Sequence, residues 1–247
     1  MPVPDASALL VPAVVALTAL AASVLAAVAG FGGAVVLLPV LVWAFGVREA
    51  VPILTVVQVV GNGARVAFNR RELVWPVVGW FSLGAVPLAV LGGVLFATAP
   101  APVLQKLLGG FLLAAVAYRH TALGRHARIT LRGFAGLGAA AGFGSALLGT
   151  VGPLVAPFFL SYGLVKGAYI GTEAATALVM HAVKLGVYGG YALLTPTAVT
   201  TGALIGLVMI AGTYLGKRLV DRLPERVFPL LVEAALVVSG LLLLLAG

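Results

Sequence analysis

The chain has 247 residues, of which 62% are hydrophobic and only 9% charged, with no cysteine and a formal net charge of +8. So few charges cannot clothe a water-facing surface, which excludes a soluble globular domain, and the long apolar runs lack the period-two alternation of a β-barrel. The missing cysteines remove disulfides and thiolate chemistry, and the basic excess reads as loops held at an anionic membrane leaflet, with binding of anionic solutes as the second reading.

An apolar run from about residue 8 to residue 45 is interrupted at Gly30, Phe31, Gly32 and Gly33. As one helix the run would reach about 57 Å, roughly twice the hydrocarbon thickness, so the chain is expected to break at these glycines. The break leaves a segment at 8 to 29 and a short one at 34 to 45. The first 29 residues are read as a mature helix and not a signal peptide, because they carry Asp5 and no Lys or Arg. Helices are expected next at about 50 to 69, 74 to 97 and 102 to 119, followed by a basic loop carrying Arg119, His120, Arg125, His126, Arg128 and Arg132. After it come segments at 133 to 149 and 152 to 162, then helices at 167 to 191, 197 to 217 and 226 to 246.

The second half thus repeats the first. Phe45, Gly46 and Val47 are echoed by Tyr162, Gly163 and Leu164, and Pro39 after its glycine break by Pro157 after Thr150, Val151, Gly152 and Pro153. Loop cations decide how the halves are oriented. If the two short segments are not counted as crossings, the basic residues divide 7 against 7; if they are, 12 of 14 fall on one side, with Lys184 left aside as mid-helix. The expected fold is therefore an all-α polytopic membrane protein of two inverted-topology repeats, each with one broken half-helix pair and three spanning helices. Residues 1 to 120 form the first repeat, 121 to 132 a basic cytoplasmic linker and 133 to 247 the second repeat, with both termini outside. A segment of 11 or 12 residues reaches only about 17 Å, so the short pieces are half-helices whose glycine-rich ends are buried in protein or line a wet cavity.

Two polar stripes carry the functional signal. Gln58, Asn62, Arg65 and Asn69 share one helix face, and Ala177, His181, Lys184 and Tyr188 repeat the same spacing 119 residues later. Glu173 extends the second stripe by a turn, where the first half has Leu54. A charge at membrane depth is costly and usually faces the bundle interior or a water path. Arg65 has two readings, a ligand of a buried site or a side chain that snorkels to the interface beside Arg70 and Arg71. Lys184 lies mid-run and reads as functional; the alternative is an ion pair with Glu173, about 16 Å away along the helix. His181 is a hydrogen-bonding partner or, with Glu173, a proton carrier.

The glycines resemble a nucleotide loop only superficially, with no strand before them and no Lys-Ser or Lys-Thr after. Gly30, Gly32 and Gly33 are read as freeing backbone N–H groups at the start of a half-helix whose positive end faces an anion; Gly149, Thr150 and Gly152 offer the same in the second half. Close helix packing is the other use for glycines there. Hydroxyls in membrane helices often bond back to their own backbone, which is the reading for Ser82, Ser145, Thr172 and Thr213; Thr176 is kept as a site candidate. No Ser-His-Asp set, carboxylate dyad or metal-ligand cluster is visible, so the chain is read as a non-enzyme with no cofactor, no metal and no nucleic-acid partner. Its expected partners are a small anion, the lipid bilayer and a coupling ion such as the proton.

Ala29-Gly30-Phe31-Gly32-Gly33, followed by Leu38-Pro39-Val40-Leu41 and a turn into a polar-striped helix, resembles the sulfite exporter TauE/SafE family, the toluene-sulfonate uptake permease type. The resemblance covers nearly the whole chain and implies a bacterial inner-membrane carrier, exporting or importing small sulfur-containing anions such as sulfite, sulfoacetate or other organosulfonates. It places Gly30, Gly32 and Gly33 at the pore centre; the second-half counterpart has Thr150 and Val151 in less glycine-rich surroundings. An anion channel, or a membrane subunit that binds a partner through its basic loop, are the alternatives.

Overall fold

In the computed structural model, residues 6 to 31, 33 to 104, 106, 107, 128 to 224 and 227 are described. The expected helix at 226 to 246, all but the start of that at 102 to 119, most of the basic linker, and Gly32 lie outside these residues. The helices are α1 (Ala6–Ala29), α2 (Gly33–Phe68), α3 (Trp75–Thr98), α4 (Gly133–Leu148), α5 (Gly152–Ser161), α6 (Lys166–Gly190) and α7 (Pro196–Arg222). No strand occurs among the described residues. Four of these helices, α1, α2, α3 and α7, have runs long and apolar enough to cross a membrane. The polar stripe of α6 sets that helix apart from them.

The breaks fall where the sequence places them. Gly30 and Gly149 both have positive φ, +80° and +91°, and each donates its N–H to a carbonyl four residues back, ending α1 and α4. At Gly30 a side chain is excluded twice over, by the backbone and by the Tyr169 ring, whose Cζ would lie 2.7 Å from an added Cβ. A second turn divides α2 at Gly46 (φ 73°, ψ 160°), so that α2 is two helices joined end to end. Proline starts α3, α5 and α7, where its missing N–H costs nothing. The Thr195 hydroxyl caps α7 by accepting from Ala198 N at 3.0 Å.

The halves exchange partners. Helix α3 packs along α4, and α1 packs along α7, both through small residues. A Cβ at Gly142 would sit 2.8 Å from Ala85 Cα, and one at Gly216 3.0 Å from the Val24 carbonyl oxygen. Without a hydrophobic drive between helices in lipid, such close backbone approach supplies the packing energy. Helices α2 and α6 cross the centre antiparallel. At one end Val74 N donates to Thr172 Oγ1 at 3.0 Å; at the other the Thr195 hydroxyl donates to Glu49 Oε2 at 3.4 Å.

Apolar packing is concentrated in two clusters towards these two ends. One gathers Phe81, Phe134, Phe159 and Tyr169, the other Leu41, Ala50, Phe96 and Tyr188. The described cations are divided too. Arg48 donates to the carbonyls of Ala97 (3.1 Å) and Ala99 (2.5 Å) at the Thr195 end. At the opposite end Lys217 bridges Glu72 (3.7 Å) and Asp221 (2.8 Å), near Arg70, Arg71 and Lys166.

Candidate functional site

Between the two apolar clusters the polar stripes of α2 and α6 face each other, and every polar member of both is buried. Arg65 does not snorkel. Its guanidinium is held from three sides, with Nη1 donating to Glu173 Oε2 at 3.0 Å and to the Gly30 carbonyl, and Nη2 donating to Asn62 Oδ1. Glu173 is therefore paired across the halves with Arg65, which replaces the ion pair with Lys184 that the sequence left open. The helix geometry had already set Lys184 about three turns away on the same rod.

Lys184 is fully buried and donates from Nζ to the carbonyl of Gly149 at 3.1 Å. Arg65 and Lys184 thus make the same contact, each reaching the carbonyl of the glycine that ends a half-helix in its own half. A cation at a helix C-terminus is stabilised by the free carbonyls there. Tyr188 plays a related part, its hydroxyl donating to the Ala146 carbonyl at 2.5 Å while its ring packs on Phe96.

A cavity of about 40 Å³ lies between these groups. At roughly 10 to 15 Å³ for each water, that is room for about three. Of the residues expected at a site, Gly33, Gln58, Asn62, Arg65, Thr150, Gly152, Glu173, Thr176 and His181 line it. Gly30 lies just behind, bound through its carbonyl to Arg65; Lys184 and Tyr188 stand one layer back from the wall, and Gly32 is outside the described residues. Phe31, Ser145, Val155 and Met180 are among the lining residues that the sequence did not place at the site.

The repeat could have found one of them. The wall contains Ala26 with Ser145, Phe31 with Thr150, Gly33 with Gly152, Gln58 with Ala177 and Asn62 with His181, each pair 119 residues apart. Shifting the second break back by that offset, from Thr150, would have picked out Phe31. Met180 carries no such signal, since its counterpart Gly61 lies against Met209.

The chemistry of the wall suits an anion. Helices α2 and α5 both start on the cavity, at Gly33 and Gly152, so unpaired N–H groups and the positive dipole ends meet there. His181 is 5% exposed, and its Nδ1 has no hydrogen-bond partner among the described residues. A buried polar atom left unpaired on a cavity wall is a place for a solute or water to bind. No cluster of three metal-ligating side chains occurs among the described residues.

A family model described as sulfite exporter TauE/SafE matches residues 15 to 243, nearly the whole chain. The chain belongs to this family. TauE/SafE proteins are membrane transporters of sulfite or related anions, and the match takes in both glycine breaks and both polar stripes. No curated protein and no solved structure matches this TauE/SafE chain.

Proposed function

We propose that this TauE/SafE protein is a secondary carrier that moves small sulfur-containing anions such as sulfite, sulfoacetate or other organosulfonates across a bacterial inner membrane by alternating access. The observation that carries the reading is the cavity wall, which contains five pairs of residues 119 apart and lies between two apolar clusters. The crossed packing of α1 on α7 and α3 on α4 supports two inverted repeats that rock against each other about this site. The charge division supports a cytoplasmic face at the Lys217 end, with both termini outside.

In this reading the oxygens of a sulfonate or sulfite take hydrogen bonds from the N–H groups opening α2 and α5, from His181 and from the hydroxyl of Thr150, while Thr176, whose hydroxyl donates to the Glu173 carbonyl at 2.8 Å, lines the wall. Arg65 and Lys184 supply positive charge, and Gln58 and Asn62 supply side-chain amides. Glu173 and His181 are the candidates for proton coupling. Uptake of sulfite and sulfoacetate into proteoliposomes tests it. Saturable flux with counterflow is expected for the carrier, lost in Arg65→Ala and Lys184→Ala; normal flux in both variants overturns the site, and unsaturable conductance would make the protein a channel.

A further inference from the structure

Resting on the carrier reading, we infer that the cavity is balanced for one net negative charge, accepting a monoanion directly and a dianion only together with a proton on Glu173. Three charged side chains surround it among the described residues. Arg65 and Glu173 cancel each other at 3.0 Å, and the other hydrogen bonds of Arg65 go to the Gly30 and Ala26 carbonyls and to Asn62. Among the described residues Lys184 has no counter-charge. The position that corresponds to Glu173 in the first half is Leu54, and Leu38 and Leu54 are the side chains that lie against Gly149, the glycine whose carbonyl Lys184 holds.

This ammonium sits directly behind the wall. Gly149 continues into Thr150, and His181 is one turn from Lys184 on the same helix; both Thr150 and His181 line the cavity. A buried charge without a partner is strongly disfavoured, so the carrier at rest favours the arrival of one negative charge. Flanked by the two cations, His181 is counted as neutral. A dianion would bring one charge too many beside the Glu173 carboxylate. The remaining place for a proton is that carboxylate: Arg65 faces it from α2, Tyr169 lies one turn before it on α6, and the cavity residues of α4 and α5 are not titratable. The proton enters from the solution that delivers the dianion, bonds to a Glu173 oxygen, and leaves to solution when the dianion is released.

Methanesulfonate and sulfate share a tetrahedral sulfur head and differ by one charge, so they are the probes. Titration calorimetry on the purified full-length protein in two buffers of different ionisation enthalpy counts protons with each. Wild type is expected to bind methanesulfonate about tenfold more tightly than sulfate, with no proton taken up for the former and about one for the latter. Glu173→Gln, which keeps the side-chain volume, should bind sulfate with no proton uptake and lose or reverse the preference. Leu54→Glu, which supplies Lys184 with the missing acid, should lose methanesulfonate; if it fails to fold, the proton count of Glu173→Gln decides alone. Equal affinity of wild type for the two anions, or an unchanged preference and proton count in folded Glu173→Gln, overturns the inference and leaves the carrier standing. Binding of neither probe nor of sulfite by wild type overturns the carrier reading beneath it.

Discussion

The Nζ of Lys184 donates to the carbonyl of Gly149 at 3.1 Å. The same contact is made 119 residues earlier, where Arg65 donates to the carbonyl of Gly30. Each half thus caps its own broken helix with a buried cation from its own polar stripe. Among the described residues only Arg65 also has a carboxylate, and this asymmetry separates the consequences of changing the two.

For Lys184→Met, one hydrogen bond to a buried carbonyl is lost, but so is an ammonium without a counter-charge among the described residues. Removing the unpaired charge outweighs losing one hydrogen bond, which contributes about 1 kcal/mol net. The variant should therefore unfold no sooner than wild type in detergent while its sulfite flux is abolished. A clear loss of thermal stability would show that the lysine is chiefly structural.

The Arg65–Glu173 pair should behave in the opposite way. Arg65→Ala leaves Glu173 buried and alone, at a cost of about 3 to 5 kcal/mol; Glu173→Gln keeps an acceptor for the guanidinium and should cost less than half of that. Replacing both with methionine should recover most of the loss, since two hydrophobes of similar length remove both desolvation penalties. Denaturation of the four proteins under one condition measures this, and additive losses in the double variant would contradict it.

Gly30 and Gly46 have similar positive φ, +80° and +73°, but different surroundings. An added Cβ at Gly46 meets nothing within 4 Å, whereas at Gly30 it runs into the Tyr169 ring. Gly46→Ala should then cost only the backbone term of about 1 to 2 kcal/mol, and Gly30→Ala distinctly more. Trimming Tyr169 to alanine should narrow the gap between them; thermal unfolding of the three variants is the check, and equal costs at the two glycines would be the contrary result.

His181→Leu removes a buried nitrogen that has no partner among the described residues. Stability should be unchanged or raised, because no hydrogen bond of Nδ1 is lost. Anion affinity should fall by about tenfold, the equivalent of one lost hydrogen bond to a charged group. A wild-type affinity in a folded variant would remove His181 from the site.

The chain has no cysteine, so single cysteines report topology without background. Cysteines replacing Arg48 and Thr195 should react with a membrane-impermeant maleimide added outside intact cells, and ones replacing Arg71 and Asp221 only after permeabilisation. All four reacting from one side would rule out the division of charges between the two ends.

Class and segmentation were legible in the sequence because both are local properties. Hydropathy declares a membrane helix within a window of some twenty residues, and a glycine that must adopt positive φ declares a break by itself. The offset of 119 was legible too, since helical spacing places Gln58, Asn62 and Arg65 on one face and Ala177, His181 and Lys184 on another. Periodicity says which residues share a face but not what that face meets. Only the tertiary structure decided that Glu173 pairs with Arg65, 108 residues away, that Arg65 is buried and does not reach for the interface, and that Lys184 sits behind the cavity wall. Those outcomes depend on the rotation and crossing of α2 against α6, which are set by packing of the whole bundle.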